Sequence, residues 1–189
     1  ILLTNNLNKL LSTTVSRCQL LRFRRISYQV IKDNLAEKYD LSPEKSQLVA
    51  SLADGRYDYA CQLIEEEEHL DKREEIIQFL ISFPDMTKVQ LFEQVQDLLK
   101  YRDEIHNLLE IMISWYRDLL LLDLDQKSQI INADYLADLE KNLEEYSRAE
   151  IEKIINVIED SNELIKDANV NLRLALEVML LKVKKARRF

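Results

Sequence analysis

The chain has 189 residues and a net charge of −8, with Gly55 as its single glycine, Pro43 and Pro84 as its prolines, and Cys18 and Cys61 as its cysteines. One glycine cannot build a Gly-rich phosphate loop or a dinucleotide fingerprint, and two distant cysteines supply neither a disulfide framework nor a zinc cluster. So little turn chemistry argues for helices joined by short polar connections, in one large or two small domains.

Residues 1–25 carry Lys9, Arg17, Arg22, Arg24 and Arg25 and no acid. Ile1-Leu2-Leu3-Thr4 opens as an apolar extended run and Asn5-Asn6 follow. A short helical segment then ends in Ser16-Arg17-Cys18, before a second extended run at Leu20-Leu21-Arg22-Phe23. Strand, short helix, strand is too small to bury a core alone. With its start at Ile1 rather than at a methionine, the stretch reads as the tail of an α/β domain whose remainder lies upstream.

From Ser27 the apolar period becomes helical. Tyr28, Val30, Ile31, Leu35 and Tyr39 suit one amphipathic helix. A second starts at Ser42-Pro43-Glu44, with Ser42 as N-cap and proline at the first helical position; it carries Leu48, Val49 and Leu52 and stops near Asp54-Gly55. A third runs from about Arg56 to Glu68 on Tyr59, Ala60, Leu63 and Ile64. The acidic run Glu65-Glu66-Glu67-Glu68 reads as a solvated helical face.

The remainder is helical throughout. Ile76, Ile77, Leu80 and Ile81 form a stripe that Phe83-Pro84-Asp85 breaks, and another helix covers roughly Lys88 to Leu99. Ile105, Leu108, Met112, Trp115, Tyr116, Leu119 and Leu120 give a longer stripe. Asn132-Ala133-Asp134 marks a turn, then Leu136, Leu139, Leu143 and Tyr146 resume. Ile151, Ile154, Ile155 and Ile158 sit on a shifted face, which predicts a break near Ser147. The last helix, Leu172 to Val183, is apolar on nearly every side and is expected to be buried all round, in its own core or against other subunits.

No local pattern assembles a catalytic site. His69 and His106 lie far apart without metal-ligand spacing, and read as surface histidines. Cys18 and Cys61 are expected as small buried hydrophobes in a reducing compartment. Trp115-Tyr116-Arg117-Asp118 reads as helix packing with a charge pair on the rim, with an interface as the other reading. The longest apolar run, Leu119 to Leu122, is far too short to span a membrane, and no signal peptide is seen. The acidic balance argues against a dedicated nucleic-acid surface. An arginine such as Arg17 between two apolar extended runs is always charged and can reach a phosphate held by a neighbour, although a lone exposed arginine is usually just solvated.

Taken in order, these segments carry a resemblance. Ile1-Leu2-Leu3-Thr4-Asn5-Asn6, Lys9-Leu10-Leu11 and Ser16-Arg17-Cys18-Gln19 resemble the sensor-1 strand and Ser-Arg-Cys motif of AAA+ clamp-loader subunits. The three-helix segment that follows is similar to their lid. Trp115-Tyr116-Arg117-Asp118-Leu119-Leu120 and Asn169-Val170-Asn171-Leu172-Arg173-Leu174-Ala175-Leu176-Glu177 resemble the collar of the delta-prime family of bacterial DNA polymerase III. The resemblance implies an all-α chain in three parts: an α/β remnant of the AAA+ core at 1–25, a lid at 26–70 and a helical collar for oligomerisation at 71–189.

It also implies roles. Thr4 falls at the sensor-1 position, and Arg17, flanked by Ser16 and Cys18, falls at the finger that reaches the ATP of an adjacent gamma or tau subunit. In gamma and tau an arginine of the lid's third helix senses the γ-phosphate; here Asp58 takes that place, which favours a subunit that does not hydrolyse ATP, while Arg56 stands two residues away. Ser12 replaces a proline common in the family. The implied function is that of a ring scaffold in DNA replication, part of the DNA polymerase III holoenzyme but without a catalytic site, cofactor or metal of its own in this stretch. Its partners would be gamma or tau and delta through the collar, and primed DNA only through the assembled ring, in the bacterial cytoplasm and away from any membrane. Three other readings stay open: part of an ATP-binding gamma or tau subunit, a non-replicative helical adaptor, and an enzyme in its own right, which the want of any assembled site disfavours.

Overall fold

With so few residues to interrupt it, the backbone runs from helix to helix. A computed structural model describes residues 1–187 apart from 3, 5–9, 67, 167 and 168, and the backbone alone of residue 128. The expectations attached to Leu3, Asn5, Asn6, Lys9, Glu67 and Arg188 lie outside the described residues.

Helix α1 (Ser12–Val15) is a single turn whose N-cap, Leu11, offers no side-chain acceptor. The described residues of the runs on either side of it are exposed, with Phe23 at 90%, and no strand occurs among the described residues. A strand needs a neighbour for its N–H and C=O groups, and none pairs with Leu20 to Phe23 among the described residues. Among the described residues, only the helix of the expected strand, helix and strand is present.

Helices α2 (Tyr28–Tyr39), α3 (Pro43–Ala53) and α4 (Tyr57–Glu65) enclose a small core of Ile31, Leu35, Val49, Ala50, Ala53, Ala60 and Leu63. The Ser42 hydroxyl accepts from the Lys45 N–H at 3.2 Å and caps α3. Tyr28 and Val30, expected in the α2 stripe, are exposed instead. The acidic run is not one helical face. α4 stops at Glu65, Glu66 is extended, and the next helix begins at Glu68. Carboxylates oppose the dipole at a helix C-terminus and favour it at an N-terminus, so the break falls inside the run.

The larger bundle holds α5 (Glu68–Ser82), α6 (Lys88–Leu98), α7 (Ile105–Asp123), α8 (Leu136–Leu143), α9 (Arg148–Ile165) and α10 (Leu172–Ala186). Short 3₁₀ turns at Phe83–Asp85, Leu99–Glu104, Lys127–Gln129 and Ala133–Tyr135 join them. α9 packs on both α7 and α10, α5 on α7, and α6 on α10. Trp115 and Tyr116 sit fully inside this core with Leu109, Met112, Ile154 and Met179. The break expected near Ser147 is the start of α9, where the Ser147 N–H donates to the Glu150 carboxylate at 2.8 Å. Thr87 and Gln90 form the matching capping box on α6.

The chain's own core buries only part of the last helix. Ala175, Leu176, Met179, Leu180, Val183 and Ala186 are buried, but Leu174 is 56% and Val178 41% exposed. Its own core therefore takes one face and leaves two apolar residues outside. Near its end, Lys184 Nζ donates to the Phe83 and Pro84 carbonyls at 3.2 and 2.7 Å, and Arg187 donates to the Pro84 carbonyl. These bonds tie α10 to the corner between α5 and α6.

Candidate functional site

The turn that closes α1 fixes where the Arg17 side chain leaves the backbone. The Ser16 N–H donates to the Ser12 carbonyl at 2.9 Å and the Arg17 N–H to the Thr14 carbonyl at 3.1 Å, while Ser16 Oγ donates to the Thr13 carbonyl at 3.2 Å. Arg17 is exposed and pairs with no carboxylate among the described residues. Ser12 occupies the first helical position of α1, where a proline would be pre-organised. Thr4 lies on the exposed opening stretch. Cys18 is exposed and Cys61 half-buried, so neither is the fully buried hydrophobe expected; Cys18 follows a one-turn helix with no core beneath it.

Residues 19–27 lead from this turn to α2 and are anchored by the single glycine. Gly55 has φ +82°, and a Cβ added there would lie 2.4 Å from Arg25 Cβ. Arg25 can settle onto this turn only because nothing projects from it. The Ile26 N–H donates to the Gly55 carbonyl at 2.9 Å, and Arg25 Nη1 donates to the Asp54 carbonyl at 3.2 Å and pairs with its carboxylate. That carboxylate also lies 4.0 Å from Arg117 Nη1 on α7. Asp54 thus joins the connector, the three-helix module and the larger bundle.

Below this junction a crevice of about 150 Å³ opens between the two cores, lined by Arg25, Asp54 and Arg56 on one side and Arg73, Glu110 and Arg117 on the other. Arg56 precedes α4 and stacks over Tyr59, 4.5 Å from the ring centroid. Asp58, in the first turn of α4, is exposed and does not line the crevice.

Several charged groups sit deeper than their sequence context suggests. Arg73, 6% exposed, grips the Asp134 carboxylate with both terminal nitrogens at 2.8 Å and donates to Asn132 Oδ1 at 2.9 Å. Lys72 Nζ pairs with Glu104 at 2.8 Å and Glu68 at 3.0 Å, and Glu104 above all raises the pKa of Lys72. Asp118 is fully buried and not on a rim. It accepts from the Ile131 N–H at 3.1 Å, the Asn132 N–H at 2.7 Å and Asn132 Nδ2 at 2.8 Å, yet burial raises its carboxyl above the ordinary value. The histidines are not free surface groups either. His69 pairs with Glu66 at 2.8 Å, and His106 Nδ1 meets Asn162 Oδ1 at 2.5 Å.

The larger bundle can be set against known proteins. The family model described as "DNA polymerase III, delta subunit, C terminal" matches residues 67–185, from the start of α5 almost to the end of α10. The chain belongs to this family. The matched region coincides with the bundle built around Trp115, and the three-helix module stands before it. The chain is also 26% identical over 186 residues to DNA polymerase III subunit delta' of Bacillus subtilis (strain 168), an alignment that covers 96% of this chain and 55% of that protein. It therefore spans about half the length of that relative. Among the described residues no helix is long and apolar enough to cross a membrane.

Proposed function

We propose that this chain acts in a bacterial clamp loader as a delta-prime-type subunit that does not hydrolyse ATP, and that it lends Arg17 to the ATP of a neighbouring gamma or tau subunit. The observation that carries this reading is the similarity to a delta' subunit along 96% of the chain, joined to the family match over the larger bundle. The exposure of Arg17 on a hydrogen-bonded turn, without a carboxylate partner among the described residues, supports the finger role. A guanidinium left unpaired can turn its donors to an incoming phosphate. Ser16 and Cys18 frame it, and Thr4 holds the sensor-1 position. Asp58 in the place of a phosphate-sensing arginine supports the non-hydrolysing role, since a carboxylate repels a triphosphate.

Residues 71–189 would form the collar that packs beside equivalent domains of gamma or tau and delta. The exposed apolar residues Leu174 and Val178 on α10, and Val89 and Phe92 on α6, support a contact on that side of the bundle. Primed DNA would meet the assembled ring rather than this chain alone, and the location would be the bacterial cytoplasm.

The test is Arg17→Ala in the full-length subunit, reconstituted with its partners. Ring assembly, read by gel filtration, is expected to stay intact while DNA-stimulated ATP hydrolysis falls by about 10³ to 10⁵ at the site served by the finger. Normal hydrolysis by assembled rings would refute the role given to Arg17.

A further inference from the structure

The crevice between the two cores has no part in the function proposed above, and its chemistry is lopsided. Arg25, Arg56, Arg73 and Arg117 reach it from separate parts of the chain, against two lining carboxylates, Asp54 and Glu110. Among the described residues, two of these guanidiniums, those of Arg56 and Arg117, keep free donors. Arg73 uses its terminal nitrogens on Asp134 and Asn132, and its Nε, without a hydrogen-bond partner, is closed off from solvent beside the crevice. Arg56 lies over Tyr59 and makes no ion pair among the described residues. Arg117 meets Asp54 only at 4.0 Å, too long for a hydrogen bond.

We propose that this crevice is a binding site for a tetrahedral oxyanion of the phosphate class. Guanidinium donors from four separate side chains suit an acceptor with oxygens on every side. The Asp54 carboxylate is already engaged by Arg25. A volume of about 150 Å³ admits a single such group, being well below the roughly 300 Å³ at which pockets for larger ligands begin. Free phosphate and a backbone phosphate of a nucleic acid strand share this chemistry. The assignment stands on the crevice alone and does not depend on the role of Arg17.

The test is to titrate the full, isotope-labelled chain with inorganic phosphate at constant ionic strength, following the arginine Nε–H resonances by NMR. A short single-stranded oligodeoxynucleotide is titrated in parallel. The Arg73 Nε–H resonance is expected to move in a saturable manner. Arg56→Ala and Arg117→Ala should each weaken binding by about tenfold, while Lys166→Ala, which does not line the crevice, should bind as the original chain does. Movement with phosphate identifies the free ion as sufficient, and movement with the oligonucleotide alone identifies the strand as the source; either outcome upholds the site. An Arg73 resonance unmoved by both ligands, or equal affinity in the two arginine variants and the original chain, overturns it.

Discussion

Gly55→Ala tests how the connector is held, and its cost can be worked from two features. The residue sits at φ +82°, and an L-residue with a Cβ in left-handed backbone loses about 1–2 kcal/mol. The new methyl would lie 2.4 Å from Arg25 Cβ, with Arg25 Cγ and the Ile26 carbonyl both at 3.1 Å. Overlap of this kind costs about 1–3 kcal/mol when neighbours must shift. The stiffer unfolded chain returns about 0.4–1 kcal/mol. The net expectation is a destabilisation of about 1–5 kcal/mol, centred near 3, and a urea midpoint lower by roughly 1.5 M for a slope near 2 kcal/mol/M. Unfolding should be followed by far-UV circular dichroism together with fluorescence of the single tryptophan, because Trp115 is buried in the larger core and reports on that core. The helical signal should shift in the variant, and by more than the tryptophan signal wherever the two cores melt separately. Gly55→Asn, which tolerates the left-handed region better, should recover part of the loss while keeping the overlap. An alanine variant that unfolds at the original midpoint would refute the reasoning.

Asp134→Ala leaves the Arg73 guanidinium buried without its bidentate partner. The carboxylate side chain is 30% exposed, so the expected loss is about 2–3 kcal/mol, below the range for wholly buried pairs, read as a lower thermal midpoint. Asp118→Asn replaces an acceptor of three hydrogen bonds and should cost about 1–3 kcal/mol. Burial holds the Asp118 pKa above its unfolded value, so its contribution is complete below the unfolded pKa and is lost as pH rises through the folded one. The stability advantage of Asp118 over the asparagine variant should therefore be larger near pH 3 than near pH 7; a pH-independent difference would contradict this.

Local signals carry most of the helical architecture. Ser42-Pro43-Glu44 announces α3, the stripe from Ile105 to Leu120 announces α7, and the shifted face after Ser147 announces α9. Each of these depends on residues within a few turns of one another. The discrepancies come from contacts distant in sequence. Nothing near Asp118 signals that it caps Ile131 and Asn132, and nothing near Arg73 signals Asp134, sixty-one positions on. The apolar face of α10 does not say which of its residues the fold will use, and packing chose Leu176, Met179, Leu180 and Val183 over Leu174 and Val178. Strands at residues 1–4 and 20–23 rest on composition alone, which cannot reveal whether a neighbouring strand exists. At the candidate site the Ser-Arg-Cys turn is legible. The four arginines of the crevice are not, because only folding brings Arg25, Arg56, Arg73 and Arg117 together.

The two cores are completed at very different moments of synthesis. The small one has all its members once Leu63 exists, whereas the large one lacks an inner face until Leu176 to Val183 arrive. At ~5–20 residues per second, translation leaves the first core to stand by itself for roughly ten seconds. During that interval the apolar sides of α5, α7 and α9 wait on the ribosome for the helix that will cover them.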